Sequence, residues 1–451
     1  MKCRKDKKMK RLFSSRDLRN LIIPLIIEQF LLIFVGLADS VMVSTVGEEA
    51  VSAVSLIDSV MILLINAFTA LATGGAIVAG QAIGRGKPQE GCQVVDQLVL
   101  FISGLSVLIM ALLYLGKPFV LHVVFGNIDP LVMKNCNTYL LIAAASIPFM
   151  ALYNAGAAIY RAMGDSRTPM IMSLLMNGMN LMGNALLIYG FGLGIEGAAI
   201  PTLVSRIFAG ITMIFLLLNQ KKTLHLTKLL GIRFHRGILK KILSIGIPYG
   251  LENSMFQLGK IIVLSLVSTF GTVAIAANAV SNSVCMFAVL TGMACGYALS
   301  SVTAQCVGAG DYEQVRYYTK KIMAVSYISL FIMNILIVLL LPVIMKVYNL
   351  SPETGTLASR IILFHSVCAV TIWPASFTLS NTLRASNDAR YCMLVSIFSM
   401  WIFRIGFSYL LAGHLRLGVF GVWAAMIVDW LVRAIFFVIR YWRGKWQSIR
   451  I

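Results

Sequence analysis

Apolar stretches of about 20 residues, the length that crosses the hydrocarbon core of a bilayer, recur along the whole chain. Twelve of them are separated by short polar or basic segments, at residues 20–45, 51–79, 93–115, 131–160, 169–190, 195–218, 242–268, 274–304, 321–346, 357–383, 391–412 and 418–440. No segment is left over for a soluble domain. The pattern predicts an all-α polytopic membrane protein with twelve transmembrane helices.

The two halves of the chain carry the same polar pattern. A shift of 224 positions superimposes residues 24–91 on residues 248–315 without a gap, and it aligns identical residues: Pro24 with Pro248, Glu28 with Glu252, Gln81 with Gln305 and Gly84 with Gly308. A shift of 223 positions aligns Arg161, Asp165 and Arg167 with Arg384, Asp388 and Arg390. A polar pattern duplicated inside two apolar halves is typical of a transporter built from two related bundles.

The repeat and the spans together predict the domain organisation. We expect a basic cytoplasmic N-terminus (1–19), a six-helix bundle (20–218), a cytoplasmic linker (219–241), a second six-helix bundle (242–440) and a basic cytoplasmic tail (441–451). Because each half has six spans, both halves begin on the same side of the membrane. The internal repeat is therefore expected to be parallel, with its axis along the membrane normal.

Composition narrows the class of protein. Hydrophobic residues make up 59% of the chain and charged residues 12%, against about 25% in soluble domains, so a soluble enzyme is nearly excluded. The net charge of +20 comes from basic residues at the N-terminus (Lys2, Arg4, Lys5, Lys7, Lys8, Lys10) and in every second loop. This distribution predicts that both termini are cytoplasmic, in a cell membrane, with anionic lipid rather than nucleic acid as the partner of the charge.

Cofactor and enzyme motifs are absent from the sequence. The eight cysteines form no CxxC pair, and the five histidines (His122, His225, His235, His365 and His414) are isolated. The run Gly84-Arg-Gly-Lys87 lacks the GK[ST] ending of a phosphate-binding loop. We expect no metal centre, no ATP and no catalytic site.

Two carboxylates in the first span are candidates for function, because ionisable groups inside a membrane are costly. Glu28 and Asp39 are eleven residues apart, which places them on one helix face. Asp39 lies deeper, and a carboxyl removed from water holds a proton more readily, so it can load and release one. Glu28 is near the cytoplasmic end and is equally consistent with a structural role. For Asp39 the structural alternative is a hydrogen bond between helices.

The seventh span carries a polar stripe. Asn253, Gln257 and Lys260 follow i, i+4, i+7 spacing, and Glu252 borders them. A buried ammonium needs a carboxylate partner or must lose its charge. A fixed Lys260–Glu252 ion pair that braces the bundle is one reading. The other is that a proton, an ion or a cationic substrate competes for this pair.

Further polar groups lie in other spans. Asn177, Asn180 and Asn184 share one face of the fifth span, where they either bind a cation or join helices by hydrogen bonds. Asp58 and Asn278 are candidates for lining a substrate cavity, with Glu28, Asn253 and Gln257, and Asp429 has lower weight. Arg206, Arg404 and Arg433 are possible structural partners of these acids.

Several motifs, in the right order along the whole chain, resemble the multidrug and toxic compound extrusion (MATE) family. They are VGLADSVMVS at 35–44 in the first span, RAMGDSRTP at 161–169 after the fourth, NLMGN at 180–184 in the fifth and PYGLEN at 248–253 in the seventh. The structural loop motif comprises Arg161, Gly164, Asp165, Arg167 and Pro169.

The resemblance implies a V-shaped pair of six-helix bundles that exports organic cations in exchange for H⁺ or Na⁺. Small cationic amphiphilic drugs or dyes are the expected partners, and we expect the chain to act as a monomer. Asp39, Asn180, Asn184 and Glu252 match the family's cation-coupling positions, to which the polar stripe adds Lys260; a transient Na⁺ would sit at Asp39, Asn180 and Asn184. Some members have an aspartate at the position of Asn184 and others one in the tenth span, where this chain has Ser376, Ser380 and Asn381. These departures favour H⁺.

One rival reading belongs to the same superfamily. A lipid-linked oligosaccharide flippase needs cations along its cavity, for which Lys260, Arg206 and Arg404 are the candidates. The sequence names neither the natural substrate nor the oligomeric state.

Overall fold

The computed structural model describes residues 11–126, 128–228, 231 and 233–449, and this part of the chain is helical without β-strands. The basic residues predicted to face the cytoplasm at positions 2–10, together with Cys3, lie outside the described residues. The helices are α1 Ser15–Ser44, α2 Glu48–Gly84, α3 Pro88–Leu115, α4 Pro130–Ala145 with Ile147–Ala162, α5 Arg167–Asn184, α6 Glu196–Leu217, α7 Arg236–Ser268, α8 Thr272–Gly308, α9 Tyr312–Tyr348, α10 Pro352–Thr371 with Leu379–Ala385, α11 Ala389–Ser399 and α12 Gly418–Trp442.

Ten of these helical segments are long and apolar enough to cross a membrane, and the bent pair of α4 counts as an eleventh. The twelfth, α7, has 33 residues and is not among these spans, because its polar stripe with Glu252 and Lys260 lowers its hydropathy. The predicted all-α membrane fold with six helices in each half is confirmed.

Two breaks in the helices lie beside prolines, which lack a backbone donor. The two parts of α4 meet at an angle of 44° just before Pro148. Pro374 opens a π-helical turn, Pro374–Thr378, that joins the two parts of α10. Other π-helical turns extend α5 (Ala185–Gly190) and α11 (Met400–Gly406 and Tyr409–His414). Irregular turns of this kind often occur near functional sites.

The first helix of each half packs partly into the opposite half. Leu18 and Leu21 of α1 are buried in a core cluster formed by α8–α12. Their partners at the 224-residue shift, Ile242 and Ile245 of α7, are buried in the core of the first half. The beginning of α1 therefore packs in the second bundle, and the beginning of α7 packs in the first. The predicted boundaries at 20–218 and 242–440 assign each of these segments to its own half.

The two halves meet closely at the end where the basic loops lie. Gln81 of α2 donates hydrogen bonds to the Ala385 carbonyl (3.0 Å) and to Asn387 Oδ1 (2.8 Å). Gln305 of α8 donates to the Ala162 carbonyl (2.7 Å). These glutamines are repeat partners, so the same cross-bundle bond is made twice.

The segment between the bundles is partly anchored. The Asp96 carboxylate of α3 accepts hydrogen bonds from the backbone and hydroxyl of Thr227. Gln97 donates to the Arg233 carbonyl (2.7 Å) and accepts from His235 N (2.8 Å). These contacts hold the described part of the segment against the start of α3.

Candidate functional site

The Asp39 carboxylate of α1 faces the asparagines of α5. Asn184 donates a hydrogen bond from Nδ2 to Asp39 Oδ1 (2.9 Å). With its amide nitrogen toward Asp39, Asn180 donates to both carboxylate oxygens at 2.9 and 3.0 Å and accepts from Thr202 Oγ1 of α6 (2.8 Å). The amides are one helical turn apart, so they meet the same carboxylate from one face.

More polar groups of the first bundle surround this pair. The hydroxyl of Tyr139 donates to Asp58 Oδ1 (3.4 Å), and Arg206 donates to Ser146 Oγ (2.8 Å). Asp58 and Arg206 are both within electrostatic range of Asp39. Asp39 therefore lies in a polar cluster formed by α1, α2, α4, α5 and α6. Directly after Asn184, α5 continues as a π-helical turn.

Glu252 of α7, the repeat partner of Glu28, is held differently from Asp39. Both of its oxygens accept hydrogen bonds from Arg384 Nη2, at 2.7 and 2.9 Å, and Ser396 donates another (2.7 Å). Glu252 is 7% exposed. The sequence-based suggestion that it pairs with Lys260 is wrong, because Arg384 of α10 takes that place.

The same ion pair occurs in the first half. Arg161 Nη2 donates to Glu28 Oε1 (2.5 Å), and Glu28 is 2% exposed. Arg161 and Arg384 are themselves repeat partners, so each half has a buried acid on its first helix and an arginine on its fourth. Glu28 is thus enclosed by protein, and it is not among the residues that line the cavity described below.

The loop after α4 is built by its motif. Gly164 has φ +84°, which favours glycine. Asp165 accepts hydrogen bonds from the backbone of Arg167 and Thr168 and pairs with Lys222 (3.3 Å). The carbonyl of Pro169 accepts from Tyr153 (3.5 Å). These contacts set the start of α5 and thereby the positions of Asn180 and Asn184.

A cavity of ≈ 680 Å³ lies between α1 and the second bundle. Asn253 and Lys260 line it, whereas Gln257 does not. Asn278 lies behind its wall and accepts a hydrogen bond from Trp423 Nε1 (3.0 Å). Asp58 belongs to the cluster around Asp39.

Lys260 has no carboxylate within 4 Å among the described residues; it lies over the ring of Phe256, 5.0 Å from the centroid. Arg404 and Arg433 also lie over this ring, at 5.0 and 5.7 Å. The Asp429 carboxylate is 3.8 Å from Arg404 Nη1 and 3.7 Å from Arg433 Nε. The expectation that these two arginines are partners of buried acids is confirmed.

Some site residues were not singled out from the sequence. Thr202 and Tyr139 carry no pattern that marks them, and only helix packing brings them to Asp39 and Asp58. Arg384 carried a signal: it repeats Arg161 as Glu252 repeats Glu28, so the duplication itself pointed to an acid–arginine pair in each half.

Comparison with known proteins finds relatives over nearly the whole chain and solved structures of the same fold. The chain is 27% identical over 432 residues to the uncharacterized transporter YisQ of Bacillus subtilis, covering 94% of this chain and 92% of YisQ. It is 24% identical over 441 residues to the probable multidrug resistance protein NorM of Thermotoga maritima, covering 96% and 93%. A solved outward-facing multidrug resistance MATE transporter has the same fold, with a TM-score of 0.88 at 21% identity and 95% of each chain covered.

The MatE family model matches twice, at residues 24–186 and 248–410. The second match begins and ends 224 positions after the first, which is the shift found within the sequence. Together the matches cover well over half of the chain and confirm the resemblance drawn from its motifs. The chain belongs to the MatE family.

Proposed function

We propose that this chain is a secondary active transporter that exports organic cations across a bacterial cytoplasmic membrane in exchange for H⁺, with Na⁺ as the alternative ion. It works by alternating access between the two bundles. The observation that carries the proposal is the Asp39 carboxylate, which is bound by two amides of a neighbouring helix rather than by a permanent cation.

Gain and loss of a proton at Asp39 couple the outward flux of the drug to the inward flux of protons. A charged Asp39 attracts a cationic drug, and a proton that binds there removes the attraction, so the drug leaves. Glu252 is less suited to this role, because a buried arginine already compensates it. Coupling requires that proton and drug compete for Asp39 or favour opposite conformations of the bundles.

The Asn180 amide provides a way to report the protonation of Asp39. With its nitrogen toward Asp39 it suits a carboxylate that only accepts hydrogen bonds. A protonated acid donates a hydrogen bond, which the oxygen of an amide accepts and its nitrogen does not. Proton binding at Asp39 therefore disfavours the contact with the Asn180 nitrogen.

A transient Na⁺ would use the same oxygens, those of Asp39, Asn180 and Asn184. Hard cations prefer such oxygen ligands. A site with one carboxylate and two amides, however, binds Na⁺ more weakly than a site with two carboxylates. Two of the similar proteins are named for drug resistance: NorM is a probable multidrug resistance protein, and the solved neighbour is a multidrug resistance MATE transporter. These names support drug export as the function of this chain. The basic loops support cytoplasmic termini.

The test is efflux of ethidium from proteoliposomes, driven separately by a pH gradient and by a Na⁺ gradient, with the wild type and Asp39→Asn run side by side. We expect efflux driven by the pH gradient and its loss in Asp39→Asn, which has the same shape but cannot be charged. Cooperative thermal unfolding of both proteins in detergent controls for folding.

Two outcomes contradict the proposal. Unchanged efflux in Asp39→Asn would mean that Glu252 and Lys260, rather than Asp39, couple the two fluxes. The absence of efflux with either gradient would rule out cation export. The flippase reading is not favoured, because Arg206 lies in the first bundle and does not share a cavity with Lys260 and Arg404.

A further inference from the structure

The cavity between α1 and the second bundle carries an excess of positive charge. Its wall holds one lysine and three arginines (Lys260, Arg384, Arg404 and Arg433), and Glu252 is the one carboxylate among the described residues that line it. Asp429 lies just behind the wall, buried completely. Four cations against these two acids leave an excess of two positive charges.

The acids are already engaged. Glu252 is bound by Arg384 and Ser396, and Asp429 is divided between Arg404, Arg433 and the hydroxyl of Ser399 (2.6 Å). Lys260 has only the Phe256 ring. Three cations thus surround one ring, with Asp429 beside them and with Glu252, already paired with Arg384, 3.7 Å from Arg433 Nη2. Like charges in a low-dielectric site repel each other unless an anion joins them.

The donors of this cluster are also incompletely used. Arg404 is 8% exposed, yet its Nε and Nη1 make no hydrogen bond with any described residue. A guanidinium offers its N–H groups in a planar fork that fits a carboxylate, sulfonate or phosphate. The unpaired N–H groups of a buried side chain in the cavity wall are therefore suited to a ligand that accepts hydrogen bonds.

Much of the remaining wall is apolar and aromatic. Trp373, Phe377, Trp423 and Trp430 line the cavity, together with the methionines Met286 and Met293. Aromatic rings and methionine accommodate flat apolar groups of varied shape. Charge at one part of the wall and rings at another favour a ligand with an anionic head and an aromatic body.

We propose that the cluster of Lys260, Arg404 and Arg433 around Phe256 binds the anionic head of an aromatic organic anion, whose body packs on the tryptophans of the cavity. The proposal goes beyond cation export. It assigns opposite charge preferences to the two bundles: cations at Asp39 and anions at the Phe256 cluster. Equilibrium binding tests it without any measurement of transport, so its failure and that of cation export are separate.

The experiment uses the full-length protein in nanodiscs of zwitterionic phosphatidylcholine and three probes of one shape: 2-naphthalenesulfonate, neutral 2-methylnaphthalene and the 2-naphthyltrimethylammonium cation. Binding is followed by equilibrium dialysis. We expect the sulfonate to bind at least roughly tenfold more tightly than the neutral probe, since a good charge-assisted contact has that magnitude.

Variants locate the binding. Lys260→Met should weaken sulfonate binding at least roughly tenfold and leave the neutral probe unchanged, because it removes the charge and keeps the length of the side chain. Lys260→Arg should retain sulfonate binding. Lys134→Met, an exposed lysine of the first bundle, is the matched control and should bind like the wild type. Wild-type affinity of Lys260→Met for the neutral probe shows that the variant is folded, so that its weaker sulfonate binding reports the lost charge.

Two results overturn the proposal: equal affinity for the sulfonate and the neutral probe, or sulfonate binding unchanged in Lys260→Met. Nanodiscs that contain anionic phosphatidylglycerol distinguish the source of the anion. If this lipid displaces the sulfonate in the wild type, a lipid headgroup occupies the cluster, and if it does not, the cluster takes a free organic anion.

Discussion

At the scale of single residues, the buried charges fall into two kinds. Glu28 and Glu252 are each bound by a buried arginine of opposite charge. Asp39 is instead bound by neutral amides, and Lys260 by an aromatic ring. Compensated pairs stabilise a bundle, whereas the uncompensated groups are the ones free to exchange a proton or a ligand.

The compensated pairs give a first prediction. Glu252→Gln leaves Arg384 as an unpaired buried charge, which costs about 3–5 kcal/mol. We expect a lower midpoint of thermal unfolding in detergent. The double variant Glu252→Gln/Arg384→Gln, which removes both charges, should recover most of the loss. Equal stability of the single and double variants would contradict a structural role for the pair.

The amides of α5 give a second prediction. Asn184→Leu removes a hydrogen bond to the charged form of Asp39, and such bonds are worth about 1.5–3 kcal/mol. We expect efflux driven by the pH gradient to fall at least roughly tenfold. Asn177→Leu is the matched control, because Asn177 lies on the same helix and donates to Ser173 rather than to Asp39. Equal losses in both variants would mean that α5 only needs polar packing.

At the scale of secondary-structure elements, the contact of α2 with α8 depends on glycine. A Cβ atom built on Gly84 would lie 2.0 Å from the carbonyl oxygen of Gln305, and one on Gly308 2.1 Å from that of Gln81. Both neighbours are backbone atoms, so a side chain here forces the helices apart. This close approach is what allows Gln81 and Gln305 to reach the opposite bundle.

Gly84→Ala should therefore open the end of the molecule where the basic loops lie. Nitroxide labels at Lys87 and Glu313, measured by double electron–electron resonance, should show a longer distance or a second population. Gly104→Ala, in α3, has no atom within 4 Å of the new Cβ and should leave the distance unchanged. An unchanged distance in Gly84→Ala would mean that this contact does not hold the bundles together.

At the scale of the whole molecule, the duplication is a physical symmetry. The acid–arginine pairs, the glutamine bonds and the exchanged starts of α1 and α7 each occur twice. The polar centres do not: Asp39 is in the first half only, and the Phe256 cluster in the second only. A symmetric scaffold thus carries an asymmetric set of binding groups.

Orientation in the membrane is the prediction at this scale. In a cysteine-free variant, Lys346→Cys should react with a membrane-impermeant maleimide on intact cells, and Lys221→Cys only after the cells are permeabilised. The reason is that Lys221 lies in a basic segment and basic loops stay in the cytoplasm. The reverse pattern of labelling would invert the proposed direction of export.

Much of this architecture was determined by the sequence alone. The apolar lengths predicted the spans, and the 224-residue shift predicted two related halves. Helical spacing placed Asn180 and Asn184 on one face. These features are local or repeated along the chain, and local periodicity survives whatever the helices pack against.

The tertiary structure decided which residues become partners. In the folded protein Glu252 pairs with Arg384 rather than with Lys260. Arg206 bonds to Ser146 in the first bundle, whereas Arg404 lies beside Asp429 in the second. The tertiary structure also exchanged the starts of α1 and α7 between the halves. The physical reason is that a buried charge is stable only beside a partner with good geometry, and that partner can lie on any packed helix. The crossing of the helices sets this geometry, and the spacing of residues along one helix does not encode it.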